Sequence, residues 1–199
     1  MDYRPRYNIA PTQQVLALVN DEQRRAEFLR WGLIPFWAKD PKIGYRMINA
    51  VGETVATKPA FRAAFRRRRC LVLADGFFEW RKEGKKKIPM YIFLKSREPF
   101  AFAGIWETWK ALDGATVRSC AIVTTKPNAF MEQIHHRMPV ILSEETEALW
   151  LDPMTEEAGI LAPLLIPSPP ELMDSYPVYD LVNSPKNHGP ECVQQLSPN

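Results

Sequence analysis

Short apolar runs, separated by turn signals, dominate the pattern of hydrophobic and polar positions along this chain. Val15–Val19 and Glu27–Trp31 flank an Asn20-Asp21 turn, and the wholly apolar run CLVLA at 70–74 is typical of a buried strand. Further runs predict strands over residues 77–82, 89–95, 100–109, 117–125 and 138–142, with hairpin turns at Glu83-Gly84-Lys85 and Asp113-Gly114.

Helical patterns are fewer. Glu53–Arg68 favours a helix interrupted at Pro59, and Glu144–Trp150 favours one for which Ser143 is a natural N-cap. The loop over 32–44 carries two Gly and two Pro, which predicts irregular structure. We therefore predict an α+β fold, a mostly antiparallel, curled, barrel-like β-sheet with a few flanking helices, in one domain over 1–199.

Composition excludes several classes of protein. Hydrophobic residues make up 46% and charged residues 25%, as in ordinary globular domains. No apolar run approaches the roughly 20 residues of a membrane span, and none resembles a secretory signal. Three Cys without CxxC spacing suit a reducing compartment better than a disulfide or zinc scaffold. We expect a cytoplasmic monomer that needs no metal or cofactor and binds no membrane.

The net charge of +3 is unevenly distributed. No Lys or Arg lies between Met138 and Pro185, and two basic clusters, Lys58–Arg69 and Arg81–Lys87, stand out in the remainder. Such a chain can present a basic face to a polyanion. The alternative interpretation is a solvated helix end and a charged hairpin tip.

Three polar residues lie in otherwise apolar surroundings, and no standard catalytic motif is present. They are Asn49 in MINA, Glu79 in GFFEW and His135 in HHRMP. Burial beside aromatic rings raises the pKa of a carboxyl group, and histidine titrates near neutrality, so both types suit proton transfer. Structural alternatives remain: Asn49 as a cap of the helix near Glu53, Glu79 on a solvated face, and His135 as a structural histidine.

Six segments, taken together, resemble one family. They are YNIAPTQ (7–13), WGLIPFWAKDP (31–41), MINAVGET (47–54), CLVLADGFFEW (70–80), HHRMPVIL (135–142) and LVNSPKNHGPECVQ (181–194). In this order they are similar to the SOS response-associated peptidase (SRAP) family of the DNA damage response, whose members are peptidase- and lyase-type enzymes. The resemblance implies a sensor of abasic sites in single-stranded DNA that also processes its own N-terminus.

In that family, an N-terminal Cys following the initiator Met is the nucleophile. Its amine forms a Schiff base with the open-chain sugar, and its thiol closes a thiazolidine. By resemblance, Asn49 orients the N-terminal residue and the sugar, Glu79 transfers protons, and His135 acts as general acid and base at the sugar hydroxyl.

The resemblance also implies DNA contacts. Trp37 resembles an aromatic residue on which a base beside the lesion stacks, and Arg137 would hold a phosphate. Where the family usually has Arg after MINA, this chain has Val51, and Arg46 or Lys58 is expected to compensate.

A second departure lies at the start, where the sequence reads Met1-Asp2 instead of Met-Cys. We expect the segment with the nucleophile to lie outside these residues, and we expect this chain not to form the thiazolidine. Besides a sensor with an incomplete site, two alternatives stay open: a non-enzymatic single-stranded DNA-binding module, and a cysteine hydrolase that pairs Cys70 or Cys120 with a His.

The family interpretation makes a structural prediction. Asn49, Glu79 and His135 should converge in one cleft, with a hydrogen bond of roughly 2.6–3.2 Å between some of them. His136 should point away by extended-chain alternation, and Trp37 should stand at the rim near Arg137.

Overall fold

The structure, a computed structural model, describes residues 4–21 and 25–197. Its strands are β1 (Gln14–Val19), β2 (Ala26–Trp31), β3 (Asn49–Val51), β4 (Arg69–Ala74), β5 (Phe77–Glu83), β6 (Lys86–Leu94), β7 (Phe100–Lys110), β8 (Thr116–Thr125), β9 (Met138–Pro139), β10 (Ile141–Leu142) and β11 (Met173–Pro177). Its α-helices are α1 (Gly52–Val55), α2 (Arg62–Arg67), α3 (Glu144–Leu151) and α4 (Ala158–Leu161), joined by short 3-10 turns.

Five strands close into a barrel in the order β1, β2, β8, β7, β4, because β4 pairs with β1 and β7 pairs with β8. Most pairings are antiparallel, but β2 and β3 both run parallel to β8. The predicted α+β barrel-like fold is confirmed, and its sheet is mixed.

Strand alternation divides the barrel's side chains between two apolar layers. Side chains on one face of the barrel strands pack against one another, and they include Val15, Leu29, Val72, Phe102 and Cys120. On the opposite face, Leu71, Ala103 and Ala121 pack with Phe65 of α2 and Trp150 of α3. The helices therefore cover one side of the barrel.

A second, three-stranded sheet has the order β11, β6, β5. In the part of the chain that the structure describes, β5 pairs only with β6, so its other edge is open. Gly76 separates β5 from β4, and a Cβ there would overlap the ring of Tyr91 at 2.3 Å. The chain therefore leaves the barrel at this glycine and enters the second sheet.

Most predicted elements are present with small shifts at their ends. Ser143 and Thr146 form a reciprocal capping box at the start of α3. The predicted strand over 138–142 instead forms β9 and β10, which pair with β8 and β7 respectively. The predicted helix over 53–68 forms α1 and α2 on either side of Pro59. No helix of the described residues is both long enough and apolar enough to span a membrane.

Candidate functional site

The fold brings Glu79 and His135 together from different parts of the chain. Glu79 lies in β5, and His135 follows the 3-10 turn Met131–Gln133. The distance between His135 Nδ1 and Glu79 Oε1 is 3.6 Å, and the two side chains are 33% and 24% exposed. This contact is slightly longer than the predicted hydrogen bond, and it lies at a position open to a ligand.

Backbone hydrogen bonds hold His135 in place. Its N–H donates to the carbonyl of Met131 at 2.8 Å, and Met131 is fully buried. Asn128 Oδ1 accepts the N–H of Met131 at 2.8 Å, while Asn128 Nδ2 donates to Ser168 O at 2.7 Å. His135 Nδ1 lies 3.0 Å from the carbonyl oxygen and 3.3 Å from the amide nitrogen of Arg137. The imidazole therefore sits on a turn that is itself fixed in the core.

Burial raises the pKa of the Glu79 carboxyl group, against the opposing effects of His135 and the Trp80 backbone N–H. The alternative that Glu79 lies on a solvated face holds only in part, since Phe78 and Trp80 pack against a core cluster while the Glu79 side chain is 24% exposed. A carboxyl group with a raised pKa holds its proton to higher pH, which suits a general acid.

His136 does not point away from His135. The centroids of the two rings lie 4.3 Å apart, because the chain bends here instead of running extended. The prediction of opposite orientations is wrong, since it assumed strand geometry for a residue pair that follows a 3-10 turn.

A cavity of about 570 Å³ opens over the Glu79–His135 pair. Its walls are formed by Glu79, Trp80, Lys82, Lys87, His135 and Asn183. Trp80 Nε1 donates to Asn183 Oδ1 at 2.8 Å. Sequence reasoning did not single out Trp80 or Asn183, although each lies inside one of the quoted motifs.

Residues near both chain ends build the wall that carries Asn183. Asn8 Nδ2 donates to the carbonyls of Val182, Ser184 and Asn187 at 3.0–3.2 Å. The N–H of Tyr7 donates to His188 O at 3.1 Å. The motifs YNIAPTQ and LVNSPKNHGPECVQ are thus two halves of one packed unit beside the cavity.

Asn49 is the first residue of β3, beside β8 at the level of Ile122. Its side chain is exposed and makes no hydrogen bond within the described residues. The alternative that Asn49 caps the following helix is wrong, because Val51 is the N-cap residue of α1. Asn49 is not part of the cavity wall, so its convergence with Glu79 and His135 stays a prediction.

Arg137 forms a bidentate ion pair with Glu53, at 2.7 and 2.8 Å, and also donates to Thr124 O at 2.7 Å. Hydrogen bonding to Arg137 lowers the pKa of Glu53 to about 2. The guanidinium charge is therefore already balanced, and a phosphate would have to compete with Glu53 for it.

The loop that carries Trp37 is exposed but well anchored. Ile34 N–H donates to Ser119 Oγ at 2.8 Å, and Trp109 Nε1 donates to Ala38 O at 2.7 Å. Gly32 has a φ of 126°, and a Cβ there would meet Gly44 O at 2.7 Å, so the two ends of the loop approach closely.

Trp37 is 49% exposed, and Phe36 and Tyr45 are 60% and 59% exposed. Arg46 and Lys58 are also exposed. Aromatic rings interleaved with cations are typical of single-stranded nucleic-acid surfaces. Sequence reasoning missed Phe36 and Tyr45, which the interleaving of aromatic and basic residues over 36–46 could have revealed.

The three cysteines are unsuited to nucleophilic catalysis. Cys70, Cys120 and Cys192 are each fully buried, and burial raises the pKa of all three thiols, that of Cys120 to about 12. Catalytic cysteines need access and a lowered pKa, so the cysteine hydrolase hypothesis is wrong for these residues. Met1 and Asp2 lie outside the described residues. Over 4–21 and 25–197, no group of His, Cys, Asp and Glu could hold a metal ion.

Comparison with known proteins gives a consistent result. Residues 1–185 match the family described as SOS response associated peptidase (SRAP). Abasic site processing protein YoqW of Bacillus subtilis is 50% identical over 195 residues, which cover 97% of this chain and 87% of that protein. Abasic site processing protein YedK of Escherichia coli is 34% identical over 96% of this chain and 85% of its own length.

Solved structures agree. A crystal structure of a protein from Bacteroides thetaiotaomicron superimposes with a TM-score of 0.82 at 35% identity, covering 97% of this chain and 82% of that one. The extent of the family match and the similarity of these relatives lead to one conclusion. The chain belongs to the SOS response associated peptidase (SRAP) family.

Proposed function

We propose that this chain recognises abasic sites in single-stranded DNA and handles protons at the lesion with Glu79 and His135. The observation that carries the proposal is the contact of 3.6 Å between these two side chains at the base of an open cavity. Relatives that are named abasic site processing proteins support the choice of substrate.

The covalent step belongs to a form of the protein with an N-terminal Cys. The α-amine of that Cys adds to the sugar aldehyde, the resulting carbinolamine loses water to give an imine, and the thiol adds to the imine carbon to close the thiazolidine. Loss of water requires a proton on the departing hydroxyl. Glu79 is suited to supply it, because burial keeps its carboxyl group protonated to higher pH.

His135 is suited to pass protons without turning. When Nδ1 carries a proton it can donate to the Arg137 carbonyl, and when it does not it can accept from the Arg137 N–H. The ring therefore has a backbone partner in either protonation state. We propose the same pair for removal of residues that precede the N-terminal Cys, with the exposed amide of Asn49 binding the reacting groups.

The test uses an oligonucleotide with one abasic site and a matched intact one. The 199-residue chain should bind the abasic oligonucleotide more tightly in fluorescence anisotropy, but give no band that survives a denaturing gel, since its thiols are buried. A form extended upstream to begin Met-Cys should give that band. In the extended form, Glu79→Gln should slow cross-linking by roughly 10²- to 10⁴-fold.

Equal affinity for both oligonucleotides would contradict recognition of the lesion. Lesion-selective but wholly reversible binding by the extended form would instead favour a non-enzymatic single-stranded DNA-binding module. An unchanged rate for Glu79→Gln would show that the carboxyl group takes no part in proton transfer.

A further inference from the structure

The cavity over Glu79 and His135 extends beyond that pair along the hairpin of β5 and β6. Lys82 lies three residues after Glu79, about 10 Å along the strand, and Lys87 lies on the neighbouring strand. Glu79 and Lys82 project from opposite faces of β5, yet both line the cavity. The cavity therefore wraps around the open edge of β5, which leaves room for an extended ligand.

Lys82 and Lys87 are directly opposite each other in the antiparallel register of this hairpin. Residues in such a pair project from the same face with Cβ atoms about 5 Å apart, and like charges in these positions repel each other. Both side chains are exposed. Two facing ammonium groups at the wall of a cavity create a position where an anion is favoured.

No carboxylate in the described part of the chain neutralises this pair. The one acidic residue between Arg81 and Lys87 is Glu83, and its Oε1 is 2.6 Å from Arg81 NH2. Neither lysine is therefore paired with a carboxylate among the described residues, and Glu79 of the neighbouring site has a raised pKa.

We propose that Lys82 and Lys87 form a phosphate subsite, which holds a backbone phosphate of the DNA strand that flanks the abasic sugar. The inference rests on the proposed function for the identity of the strand. A phosphodiester fits because its single negative charge is always present and because the strand continues from the sugar at Glu79 and His135. The subsite fixes the path of the strand and reads no base.

The test compares two double variants with the same change in net charge. Lys82→Gln/Lys87→Gln removes the subsite, while Lys85→Gln/Lys86→Gln removes two charges from the same hairpin outside the cavity wall. Anisotropy is measured over a range of salt concentrations with abasic and intact single-stranded oligonucleotides.

For one phosphate released, the slope of log affinity against log salt should become shallower by about 0.7 in the first variant. The difference in affinity from the unaltered chain should then shrink by about fivefold for each tenfold rise in salt. Both oligonucleotides should be affected alike, because a phosphate contact carries no sequence or lesion information. Equal losses in the two double variants, or none in either, would overturn the subsite.

A second measurement locates the phosphate. Neutral methylphosphonate linkages are placed one at a time on either side of the lesion, and one position should weaken binding to the unaltered chain. The same replacement should have little further effect on Lys82→Gln/Lys87→Gln, as a double-mutant cycle requires. Additive losses at every position would refute the contact. The abasic-to-intact affinity ratio of the unaltered chain tests the proposed function separately.

Discussion

Two basic clusters look alike in the sequence and differ in the structure. The arginine run, Arg66–Arg69, ends α2 and begins β4, whereas the lysine hairpin, Lys82–Lys87, joins β5 to β6. In the arginine run, Arg67 pairs with Glu156 at 3.0 Å and Arg68 pairs with Glu107 at 2.7 Å. The lysine hairpin is exposed, and its one acidic residue is paired with Arg81.

A run of cations in a sequence therefore predicts a local density of charge, but it does not predict whether that charge is free to bind a ligand. Residues 138–185, which contain no Lys or Arg, fold back over the arginine run and supply partners for Arg67 and Arg69, while Glu107 of β7 pairs with Arg68. Among the residues that the structure describes, no comparable segment covers the lysine hairpin, which extends beyond the part of β6 that pairs with β11. These two runs lie within the clusters Lys58–Arg69 and Arg81–Lys87 that suggested a polyanion surface, and of the two runs the lysine hairpin has more cations without a carboxylate partner.

Arg69 is the extreme case, because it is charged and 0% exposed. Its guanidinium donates to the carbonyls of Trp150 and Asp152, both at 2.5 Å, and to those of Phe65 and Arg66. These carbonyls lie at the ends of α2 and α3, where helices leave acceptors without partners. Burial lowers the pKa of Arg69 to about 10, so the side chain stays charged at neutral pH.

The largest effect should therefore come from Arg69→Met. The variant leaves four carbonyl groups without their donor, and we expect a loss of about 3 kcal/mol or more in the free energy of unfolding, measured by urea denaturation. Arg69→Lys keeps the charge but not the planar guanidinium, and its free energy of unfolding should fall by less than that of Arg69→Met. Affinity for DNA of the folded fraction should be unchanged. A loss below about 1 kcal/mol would mean that water replaces the guanidinium.

Local structure could be predicted from the sequence where a short segment determines it. Ser143 and the acidic residues after it indicated the start of α3, and turn residues indicated the hairpins. The strand β3 escaped prediction because it has only three residues and β8 is its one strand partner among the described residues. The bend at His135 escaped because a 3-10 turn leaves no periodic signal in three residues.

The site could be predicted by residue type but not by geometry. Nothing local joins Glu79 to His135 across 56 positions of sequence. Resemblance to a family supplied the pair, and the structure places the two side chains 3.6 Å apart. The ion pair between Arg137 and Glu53 was not predicted, because the sequence around each residue is equally compatible with an unpaired, solvent-exposed charge. Tertiary packing determines which charged residues pair with each other, and the composition of the sequence does not predict that packing.

Arg137 shares one property with each run: it is paired with a carboxylate, as Arg67 and Arg68 are, and it lies close to the candidate site, as Lys82 and Lys87 do. Glu53→Gln would leave its guanidinium free for a phosphate, and because exposed ion pairs contribute at most about 1 kcal/mol, single-stranded DNA should bind up to about fivefold more tightly. Glu53→Ala is the matched control for hydrogen bonding by the new amide. An unchanged affinity in both variants would show that Arg137 only positions the turn.

The same pair has a pH signature. The pKa of Glu53 is depressed to about 2, so its contribution to stability is present above the ordinary value of 4.5 and is lost as pH falls towards 2. In Glu53→Gln, the decline of stability over this interval should be shallower. Identical acid denaturation curves for the two proteins would contradict a native ion pair.

The smallest effect should come from Arg67→Gln in the arginine run. Arg67 and Glu156 are 68% and 46% exposed, and surface ion pairs of this kind contribute about 0–0.5 kcal/mol, so urea denaturation should barely change. DNA binding discriminates better than stability does. Lys82→Gln, which removes one positive charge from the lysine hairpin, is the matched comparison for Arg67→Gln. If the clusters differ as described, Arg67→Gln leaves the salt dependence of single-stranded DNA binding as it was, while Lys82→Gln makes it shallower. Equal slopes in the two single variants would mean that both clusters act only through net charge.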